Sequence, residues 1–547
     1  MEKEILKHTL KNAIEYKGKA DEKAVIGKIF KENKNLNLKE VLKDIKDAVK
    51  KVNSMSLDEQ KEELKTLDFK LLKKEKIKKE FILPELKTDK KIVMRFAPNP
   101  NGAMSLGHSR IALLNWFYVE LYRGKYILRF DDTDPKNKVP LKKAYRWFVN
   151  DMKWMGIRID KKVIQSKRLK RYYRYAKKLI DMGKAYVCTC DKEGKKESLM
   201  KKMSCNCRDL SVKEVNDCWK KMLKKGGYKE GEAVLRIKTD LENKNPAVRD
   251  WPAFRVVEEN KHPFNKRARV WPLLNFASAI DDYEYSITHI IRGVDLKVSD
   301  DRQKYIYNYF NWEYPKVILV GKLYLKGIGS TTQAKEMIEN GELSGWDDPR
   351  LGTIIALKRR GFQSEAISEF IRSLGLNKSD VDVSIKNLIA FNKKILEKKA
   401  NRYFFIEDPK LVKVEGVEKM DVDLPLHPDF LERGVRKFKS GDEFYVSEEL
   451  KKNIVYRLIG LFNFKNNKFL SKEHTNNLNA KLIEWLPKSK DIVKIEVVME
   501  DNTVREGVGE GSLRNLKGDD VVQFVRFGFC RFDEKKKGVY RFYFCHK

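Results

Sequence analysis

The pattern of apolar and polar positions over residues 91–124 predicts a strand followed by a helix. Residues 91–96 (KIVMRF) form a short apolar run, which is typical of a buried strand, and Pro98 and Pro100 end it. Further on, apolar side chains recur at the spacing of one helix face, at Ile111, Leu114, Phe117 or Tyr118, and Leu121. The predicted helix spans residues 106–123, and Gly124 is expected to end it as a C-terminal glycine.

A second strand is predicted directly after this helix. Residues 125–132 (KYILRFDD) are again mostly apolar and end in two acidic residues. A strand, a helix and a strand within about forty residues form a βαβ unit. The sheet is therefore expected to be parallel, with a right-handed crossover.

The rest of the chain divides into segments of different character. The predicted segments are a helical extension (1–88), the first half of a nucleotide-binding α/β fold (89–183), an inserted module (184–283), the second half (284–330), a helical connecting subdomain (331–400) and a β-rich region (401–547). The module is predicted to be an insertion within one fold, because the alternation of strands and helices stops before residue 184 and returns at YSITHIIRG.

The charge of the chain is strongly positive. Its 547 residues include 115 Lys and Arg against 79 Asp and Glu, a net charge of +36. Such an excess is typical of a protein that binds RNA or DNA, although a lysine-rich proteome would also produce it. Residues 70–81 (KLLKKEKIKKEF) fit either a solvated surface helix or a helix that binds RNA or a partner.

A cytoplasmic location is expected. No run approaches the ~18 apolar residues that cross a bilayer. The first ten residues, MEKEILKHTL, are too charged for a signal peptide.

Four cysteines lie close together as two C-x-C pairs. Cys188 and Cys190 form the first pair, Cys205 and Cys207 form the second, and fourteen residues separate the two pairs. Four thiolates can surround a zinc ion tetrahedrally, and a closed site of this kind is structural rather than catalytic. Free buried thiols are the alternative interpretation.

The loop after the first strand, residues 97–108 (APNPNGAMSLGH), is expected to bind phosphate. In an open parallel sheet, ligands bind beyond the carboxyl ends of the strands, where this loop lies. The N-terminus of the helix that follows attracts anions through its free N–H groups. Gly107 allows a ligand to approach the backbone closely, and His108 can donate a hydrogen bond to a phosphate oxygen, although a histidine there can also cap or pack the helix. No G-x-x-x-x-G-K-[ST] loop is present here, which excludes a Walker-type NTPase.

The string RFAPNPNGAMSLGH, followed by LRFDDTDP, resembles class I aminoacyl-tRNA synthetases of the glutamyl/glutaminyl group. SLGH stands where that class carries its HIGH signature, with Ser105 in place of the first histidine. The resemblance continues through RVWPLLNFASAIDD, THIIRGVD, GWDDPRLGTIIALKRRG and ANRYFF, and it covers residues 92–547. The helical extension and the β-rich C-terminal region are similar to those of archaeal glutamyl-tRNA synthetases.

The resemblance implies a fold class of multidomain α/β plus all-β. A Rossmann-type catalytic domain would carry the HIGH signature, and the inserted module, with its zinc knuckle, would grip the acceptor end of tRNA. A pair of C-terminal β-barrels would bind the anticodon, and the enzyme would be a monomer.

The resemblance also implies a two-step reaction. The carboxylate of the amino acid attacks the α-phosphate of ATP, with Mg²⁺, to give an aminoacyl-adenylate and pyrophosphate. The terminal ribose hydroxyl of tRNA then attacks the adenylate. Positioning and stabilisation of phosphate charge would supply most of the catalysis.

By the same resemblance, three groups of residues form the active site. Those expected to be catalytic are Ser105, Gly107 and His108. Those expected to bind ATP are Pro98, Asn99, Gly102, Ser105, Gly107, His108, Thr332, Gln333 and Lys335. Those expected to bind the amino acid are Arg95, Ala97, Asp131, Leu274, Asn275 and Arg292.

Arg292 indicates glutamate rather than glutamine as the amino acid. A guanidinium neutralises a second carboxylate through paired charge-assisted hydrogen bonds. Arg292 stands where glutamyl enzymes have arginine, Arg95 lines the same pocket, and Asp131 would hold the α-ammonium group. Glutaminyl-type relatives carry Tyr-Asp where this chain has Leu274 and Asn275, and this difference also argues against a glutamine enzyme.

Two other functions remain open at this point. A glutaminyl-tRNA synthetase is opposed by Arg292 and Leu274, and a tRNA-binding relative without synthetase activity is supported by Gln333 alone. The expected partners are ATP, L-glutamate and the tRNA for glutamate, and charging of the tRNA for glutamine is left open.

The second signature of the class, KMSKS, lacks its lysine in this chain. The lysine stabilises the departing pyrophosphate, and related archaeal enzymes read Ser-Thr-Ser-Lys at this place. Here residues 330–333 read STTQ, so that Gln333 takes the place of the lysine. Either Lys335 or Lys326 substitutes for it, or adenylation is slow.

We predict that Gln333→Lys raises the rate of ATP–pyrophosphate exchange. Loss of one transition-state contact typically costs about 2.7–4 kcal/mol, or 10²–10³ in rate, and the substitution would restore such a contact. The exchange assay, run with tRNA present, measures this directly. An unchanged or lower rate would mean that another residue already supplies the charge.

Overall fold

The computed structural model describes residues 2–16, 18–32, 38–72, 83–325, 331–473 and 479–547. The chain forms two compact units, Met1–Ile82 and Leu83–Lys547. Most of the lysine-rich segment at 70–81 lies outside the described residues, and so do Lys326 and Ser330.

The first unit is helical, as predicted. Its helices are α1 (Glu2–Glu15), α2 (Glu22–Glu32), α3 (Leu38–Asn53) and α4 (Leu57–Leu72). Leu10, Val52 and Leu64 are buried in one apolar cluster. The side-chain amide of the buried Gln60 donates to the carbonyls of Gly18 at 2.9 Å and Val52 at 2.8 Å, and these bonds satisfy buried polar groups where the helices meet.

The second unit begins with alternating strands and helices. They are β1 (Val93–Phe96), α5 (Leu106–Leu121), β2 (Lys125–Phe130), α6 (Ala144–Trp154), β3 (Lys161–Ile164) and α7 (Leu169–Asp181). β1 pairs with β2 and β2 pairs with β3, and both pairs are parallel. The predicted βαβ unit is confirmed.

An antiparallel module then interrupts the alternation. Its elements are β4 (Ala185–Cys188), α8 (Lys192–Met200), α9 (Val212–Leu223), β5 (Val234–Ile237), β6 (Pro252–Val256) and β7 (Val270–Pro272). The four strands form one sheet in sequence order. Trp219, Trp251 and Trp271 are buried in the core beneath it.

The parallel sheet resumes after the module. The elements are α10 (Leu274–Glu284), β8 (His289–Gly293), α11 (Lys297–Tyr309) and β9 (Lys316–Val320). β8 pairs in parallel with β1 and with β9, so the strand order is β3-β2-β1-β8-β9. The order reverses between β1 and β8, and ligands of open α/β sheets bind beyond the carboxyl ends of the strands at such a point.

Helix α5 lies deeper in the core than the sequence pattern predicted. The predicted single apolar face is wrong in part, because Leu121 is 59% exposed while Ala112, Leu113 and Val119 on other faces are fully buried. The buried Arg110 donates to the carbonyl oxygen of Gly321 at 2.7 Å and to that of Gly375 at 3.2 Å. The helix is therefore enclosed on several sides, which a one-face pattern does not describe.

Gly124 does not take the left-handed position at the end of α5. That position is filled by Arg123, with a φ of 49°. Gly124 is instead needed for space, because a Cβ there would lie 2.5 Å from the carbonyl oxygen of Ile92. The helix ends at Leu121, two residues before the predicted end, and Gly124 follows it for a different physical reason from the one predicted.

Residues 323–399 connect the catalytic sheet to the C-terminal region. Their elements are β10 (Leu323–Leu325), α12 (Thr331–Glu339), α13 (Ile354–Arg360), α14 (Ser364–Leu374), β11 (Val381–Val383) and α15 (Ile385–Lys399). β10 and β11 form a short parallel pair, and the other elements are helices. None of the helices within the described ranges has the length and apolarity that a membrane span requires.

The C-terminal region is all-β, as predicted. Its strands are β12 (Arg402–Tyr403), β13 (Phe405–Glu407), β14 (Lys410–Lys413), β15 (Met420–Pro425), β16 (Val435–Ser440), β17 (Glu443–Val446), β18 (Val455–Leu458), β19 (Asn463–Lys465), β20 (Lys468–Ser471), β21 (Lys481–Ile483), β22 (Leu486–Pro487), β23 (Ile492–Val498), β24 (Val504–Glu510), β25 (Val521–Phe524), β26 (Gly528–Lys536) and β27 (Val539–His546). The largest sheet has seven strands, in the order β12-β25-β26-β27-β23-β24-β13. Two aromatic cores form, one around Trp485 and the other around Phe524 and Phe542.

The stretch VQFVRFGFCRF (residues 522–532) spans two antiparallel strands. It forms the hairpin β25–β26, which turns at Arg526 with a φ of 62°. Arg531 on β26 is buried and donates to Asp519 at 2.7 Å and to Asp533. Its charge is therefore compensated within the protein rather than presented to RNA.

Candidate active site and metal site

A cavity of about 680 Å³ lies beyond the carboxyl ends of β1, β2 and β8. All the residues predicted to bind the amino acid line it: Arg95, Ala97, Asp131, Leu274, Asn275 and Arg292. Asn99, predicted to bind ATP, lines it too. The structure thus brings together residues that are almost two hundred positions apart in the sequence.

Asp282 on α10 holds two of the cavity's arginines. Arg95 donates from Nε and Nη2 to the two carboxylate oxygens of Asp282, at 3.1 and 3.2 Å. Arg129 donates from Nη1 to the same carboxylate at 2.6 Å. Burial alone would raise the pKa of Asp282, but the two guanidinium groups outweigh it and lower the pKa to about 2. The carboxylate is therefore ionised at neutral pH and fixes both arginines.

Arg129 also fixes Asp131, the residue expected to hold the substrate's ammonium group. Its Nε and Nη2 donate to the Asp131 carboxylate at 2.7 and 3.2 Å. The Ser278 hydroxyl donates to the same carboxylate at 3.2 Å. Asp131 is 8% exposed, so it reaches the cavity in a single orientation.

Residues of α11 hold Arg292 in place. Its Nη1 lies 3.0 Å from Oδ1 of Asp300, and its Nη2 donates to Oε1 of Gln303 at 3.3 Å. The Tyr314 hydroxyl donates to the same Gln303 oxygen at 2.9 Å. Burial and the nearby charge of Arg95 lower the pKa of Arg292, so two like charges lie close together and favour an anion beside them.

The HIGH-like segment forms the N-terminus of α5. The Ser105 hydroxyl caps the helix by accepting the amide of His108 at 3.2 Å, and the Leu106 amide donates to the carbonyl of Gly352 at 3.1 Å. Within the described residues, the Gly107 amide has no protein acceptor. It is therefore the first-turn N–H group that remains available for a phosphate.

His108 is a neutral hydrogen-bond donor rather than a cation. Its ring lies against those of Phe96 and Phe148, and burial lowers the pKa of its imidazole to about 4. Its Nδ1 accepts the backbone amide of Ser105 at 3.3 Å, which places the proton on Nε2. Together with the Gly107 amide, this Nε2–H group can bind phosphate oxygens.

The loop also contains Pro98 and Gly102, the other residues there that were predicted to bind ATP. The carbonyl of Pro98 accepts the amide of Asp131 at 2.9 Å, which joins the loop to the end of β2. Gly102 is buried in the same loop. Neither residue lines the amino-acid cavity.

The KMSKS-like segment begins helix α12. Thr332 and Gln333 are exposed in its first turn, and Lys335 lies 3.7 Å from Glu339 of the same helix. Ala334 packs in an apolar cluster that includes Ala103 of the HIGH-like loop. This packing holds the two signature segments together, as a shared phosphate site requires.

The four predicted cysteines form one cluster in the inserted module. The sulfur atoms of Cys188, Cys190, Cys205 and Cys207 all lie within 4.8 Å of one another. Burial alone would raise the pKa of the Cys207 thiol, but hydrogen bonds from the backbone amide and hydroxyl of Thr189, both at 3.5 Å, lower it. Zinc–sulfur bonds of about 2.3 Å require sulfur atoms about 3.8 Å apart, so the cluster fits a tetrahedral ion after a small contraction.

Sequence reasoning missed the residues that support the binding groups. Arg129, Asp282, Asp300 and Gln303 are buried and contact the predicted binding residues, yet none was singled out. The usable signal was the pair of acidic residues in the otherwise apolar helix sequence LNFASAIDD. A charge at such a position needs a buried partner, and the arginines of β1 and β2 are the available ones.

Comparison with known proteins agrees with this geometry. Residues 91–398 match the family model described as tRNA synthetases class I (E and Q), catalytic domain. Residues 400–483 and 468–533 match two models of the anti-codon binding domain of the same group.

Full-length relatives are similar to this chain throughout. A protein named glutamate--tRNA ligase from Pyrococcus furiosus is 45% identical over 572 aligned residues, with 100% of both chains covered. Proteins of the same name from Thermococcus onnurineus and Methanocaldococcus jannaschii are 46% and 43% identical, again with 100% of both chains covered. This chain therefore belongs to the class I tRNA synthetases of the E and Q group, within the archaeal glutamate--tRNA ligase family.

Proposed function

We propose that this chain ligates L-glutamate to the 3′ end of the tRNA for glutamate through a glutamyl-adenylate formed from ATP. The observation that carries the proposal is the pair of buried arginines, Arg95 and Arg292, in one cavity with Asp131. The names of the relatives support the same activity. A weakened relative that only binds tRNA is not favoured, because the amino-acid pocket is fully assembled.

Different residues of the pocket would bind different groups of the substrate. Arg95 and Arg292 would bind the side-chain carboxylate, and Asp131 would bind the α-ammonium group. The neutral amide of glutamine cannot form the paired charge-assisted hydrogen bonds that a carboxylate forms with a guanidinium group, so the pocket favours glutamate. Leu274 and Asn275 form part of the wall at the start of α10.

Adenylation needs the two signature segments. The substrate α-carboxylate attacks the α-phosphorus of ATP, and pyrophosphate leaves as the bond to its oxygen breaks. The Gly107 amide and the Nε2–H group of His108 would bind phosphate oxygens, and Asn99 would bind ATP at the loop. Mg²⁺ on the polyphosphate supplies positive charge. Thr332, Gln333 and Lys335 would contact the pyrophosphate from α12.

In the transfer step, tRNA would lie along the second unit. A hydroxyl of the terminal ribose attacks the adenylate carbonyl, and AMP leaves. We assign the inserted module to the acceptor end and the two β-rich cores to the anticodon. The tRNA for glutamine is a second candidate substrate, and the active form is proposed to be the monomer.

Aminoacylation with labelled amino acids tests this function. The full-length protein should attach glutamate, and not glutamine, to the tRNA for glutamate. Running the same assay on the tRNA for glutamine shows whether that tRNA is charged with glutamate as well. Attachment of neither amino acid to either tRNA would contradict the proposal and favour the tRNA-binding relative.

Asp282→Asn is predicted to lower kcat/KM for glutamate by about 10²-fold, since misplaced positioning groups cost that much. The substitution removes the charge that holds Arg95 and Arg129 in place. It should also destabilise the fold by about 3–5 kcal/mol, because two buried guanidinium groups lose a partner. Steady-state kinetics and urea unfolding measure the two effects.

Asp281→Asn is the matched control. Asp281 is equally buried on the same helix but binds Arg168 and Tyr172, away from the pocket. It should reduce stability while leaving the KM for glutamate within about twofold, because its hydrogen-bond partners do not line the pocket. A normal KM in Asp282→Asn would show that the arginines hold their positions without that carboxylate.

The stabilisation from Asp282 has a defined pH dependence. Its pKa in the folded protein, about 2, lies below its ordinary value of 3.8. The stability difference between the wild type and Asp282→Asn should therefore be constant above about pH 5 and decrease as the pH falls towards 2.

We further propose that the cysteine cluster holds a structural zinc ion. The four thiolates would fill all its positions, so the ion would stabilise the module without taking part in catalysis. Metal analysis of protein with reduced thiols should find about one zinc per chain, the amount that one closed site binds.

Cys205→Ser is predicted to lose the metal and to lower the melting temperature. Cys218→Ser is the control, since Cys218 lies outside the cluster. Less than about half an equivalent of zinc in the wild type would contradict the site.

A further inference from the structure

A second cavity, of about 660 Å³, lies where α6 and α13 meet the C-terminal sheet. We call it the junction cavity. Its lining includes Arg146, Trp147, Asp151, Trp154, Trp346 and Lys358. Its volume falls within the range of about 300–1,000 Å³ that small-molecule sites span. None of the residues assigned to ATP or to the amino acid lines it.

The floor of the junction cavity carries an unpaired buried carboxylate. Asp151 is 3% exposed, and its Oδ2 atom has no hydrogen-bond partner. Other buried aspartates, such as Asp132 and Asp250, accept several hydrogen bonds. Burial raises the pKa of the Asp151 carboxyl to about 7, and the charge of Lys358 opposes this shift. A buried carboxyl oxygen without a hydrogen-bond partner is costly, so a donor on a ligand in the cavity would stabilise it.

The remaining charges around the cavity fall into two sets. Arg359 and Arg531 are neutralised, by Asp347 at 2.8 Å and by Asp519 at 2.7 Å. For Lys143, Arg146 and Lys358, by contrast, the described part of the chain places no carboxylate within 4.0 Å. This second set is therefore available to bind an anion.

A ligand for this cavity needs three properties. It must offer N–H donors to Asp151, a flat face to the tryptophans, and negative charge to Lys143, Arg146 and Lys358. Guanine presents two neighbouring N–H groups, on N1 and N2, to a single carboxylate. Adenine presents one amino group beside an acceptor nitrogen, which would face the carboxylate oxygens unfavourably. Aromatic stacking and phosphate contacts complete the match.

We propose that the junction cavity binds a guanine nucleotide, with Asp151 accepting the N1 and N2 hydrogens and the basic side chains binding the phosphate. The nucleotide is either free in solution or a guanosine of bound tRNA. The site is separate from the adenylation pocket, so the proposal stands independently of which amino acid is charged.

Titration of tryptophan fluorescence in the full-length protein tests the free nucleotide, with saturating ATP to occupy the active site. GMP should bind at one saturable site, and IMP, which lacks only the N2 amino group, should bind at least about tenfold more weakly. Asp151→Asn should weaken GMP binding by at least about tenfold. Lys153→Ala, an exposed cation on the same helix outside the lining, should leave it unchanged.

Filter binding of a glutamate tRNA transcript tests the other source. A loss of at least about tenfold in tRNA affinity in Asp151→Asn, with no binding of GMP, assigns the site to a tRNA guanosine. GMP binding with unchanged tRNA affinity assigns it to the free nucleotide. Asp151→Asn should melt no lower than the wild type, because it removes a buried carboxyl group whose Oδ2 atom has no hydrogen-bond partner. Absence of GMP binding together with unchanged tRNA affinity would overturn the proposal.

Discussion

The carboxylate of Asp282 is the interaction on which the active site depends. It lies between Arg95 on β1 and Arg129 on β2, and it binds both guanidinium groups at once. Without it, Arg95 would lose both of these hydrogen bonds while lying beside the like charges of Arg129 and Arg292. Asp131 and Asp300 complete the balance, so three carboxylates oppose three guanidinium groups. Burying these paired charges costs desolvation energy, and the ion pairs hold the arginine side chains in one geometry.

The position of Asp282 in the chain also ties the inserted module to the catalytic sheet. α10 follows the last strand of the module, and its neighbouring Asp281 binds Arg168 at the start of α7, before the module begins. Asp132 at the end of β2 accepts the hydroxyls of Tyr145 and Ser166, both at 2.7 Å. These contacts hold together the two ends of the module and the strand that carries Asp131. The module is therefore fixed in position relative to the strand end at Asp131.

The sequence was informative about single residues and uninformative about their partners. Periodicity predicted the βαβ unit, and motif resemblance located Arg95, Asp131 and Arg292 in one cavity. The pairing of Arg95 with Asp282 spans 187 positions and leaves no periodic trace, so the supporting carboxylates could not be found in the same way. Helix α5 was predicted to be amphipathic because a local pattern does not show how many neighbours enclose a helix. Likewise, Gly124 was explained by backbone conformation, whereas the close approach of Ile92 is a tertiary constraint.

The proposed phosphate site relies on neutral groups, whereas the proposed amino-acid pocket relies on charged ones. In the pocket, charged guanidinium groups contact charged carboxylates. At the N-terminus of α5 the donors are a backbone amide at Gly107 and the uncharged imidazole of His108, and the described part of α12 adds the amide side chain of Gln333. Neutral donors stabilise developing charge through their fixed orientation, so their contribution depends on how rigidly the two segments are held. The apolar cluster that joins Ala103 to Ala334 is what holds them. The rigidity of this packing therefore sets how much the neutral donors on the two segments can contribute to binding phosphate.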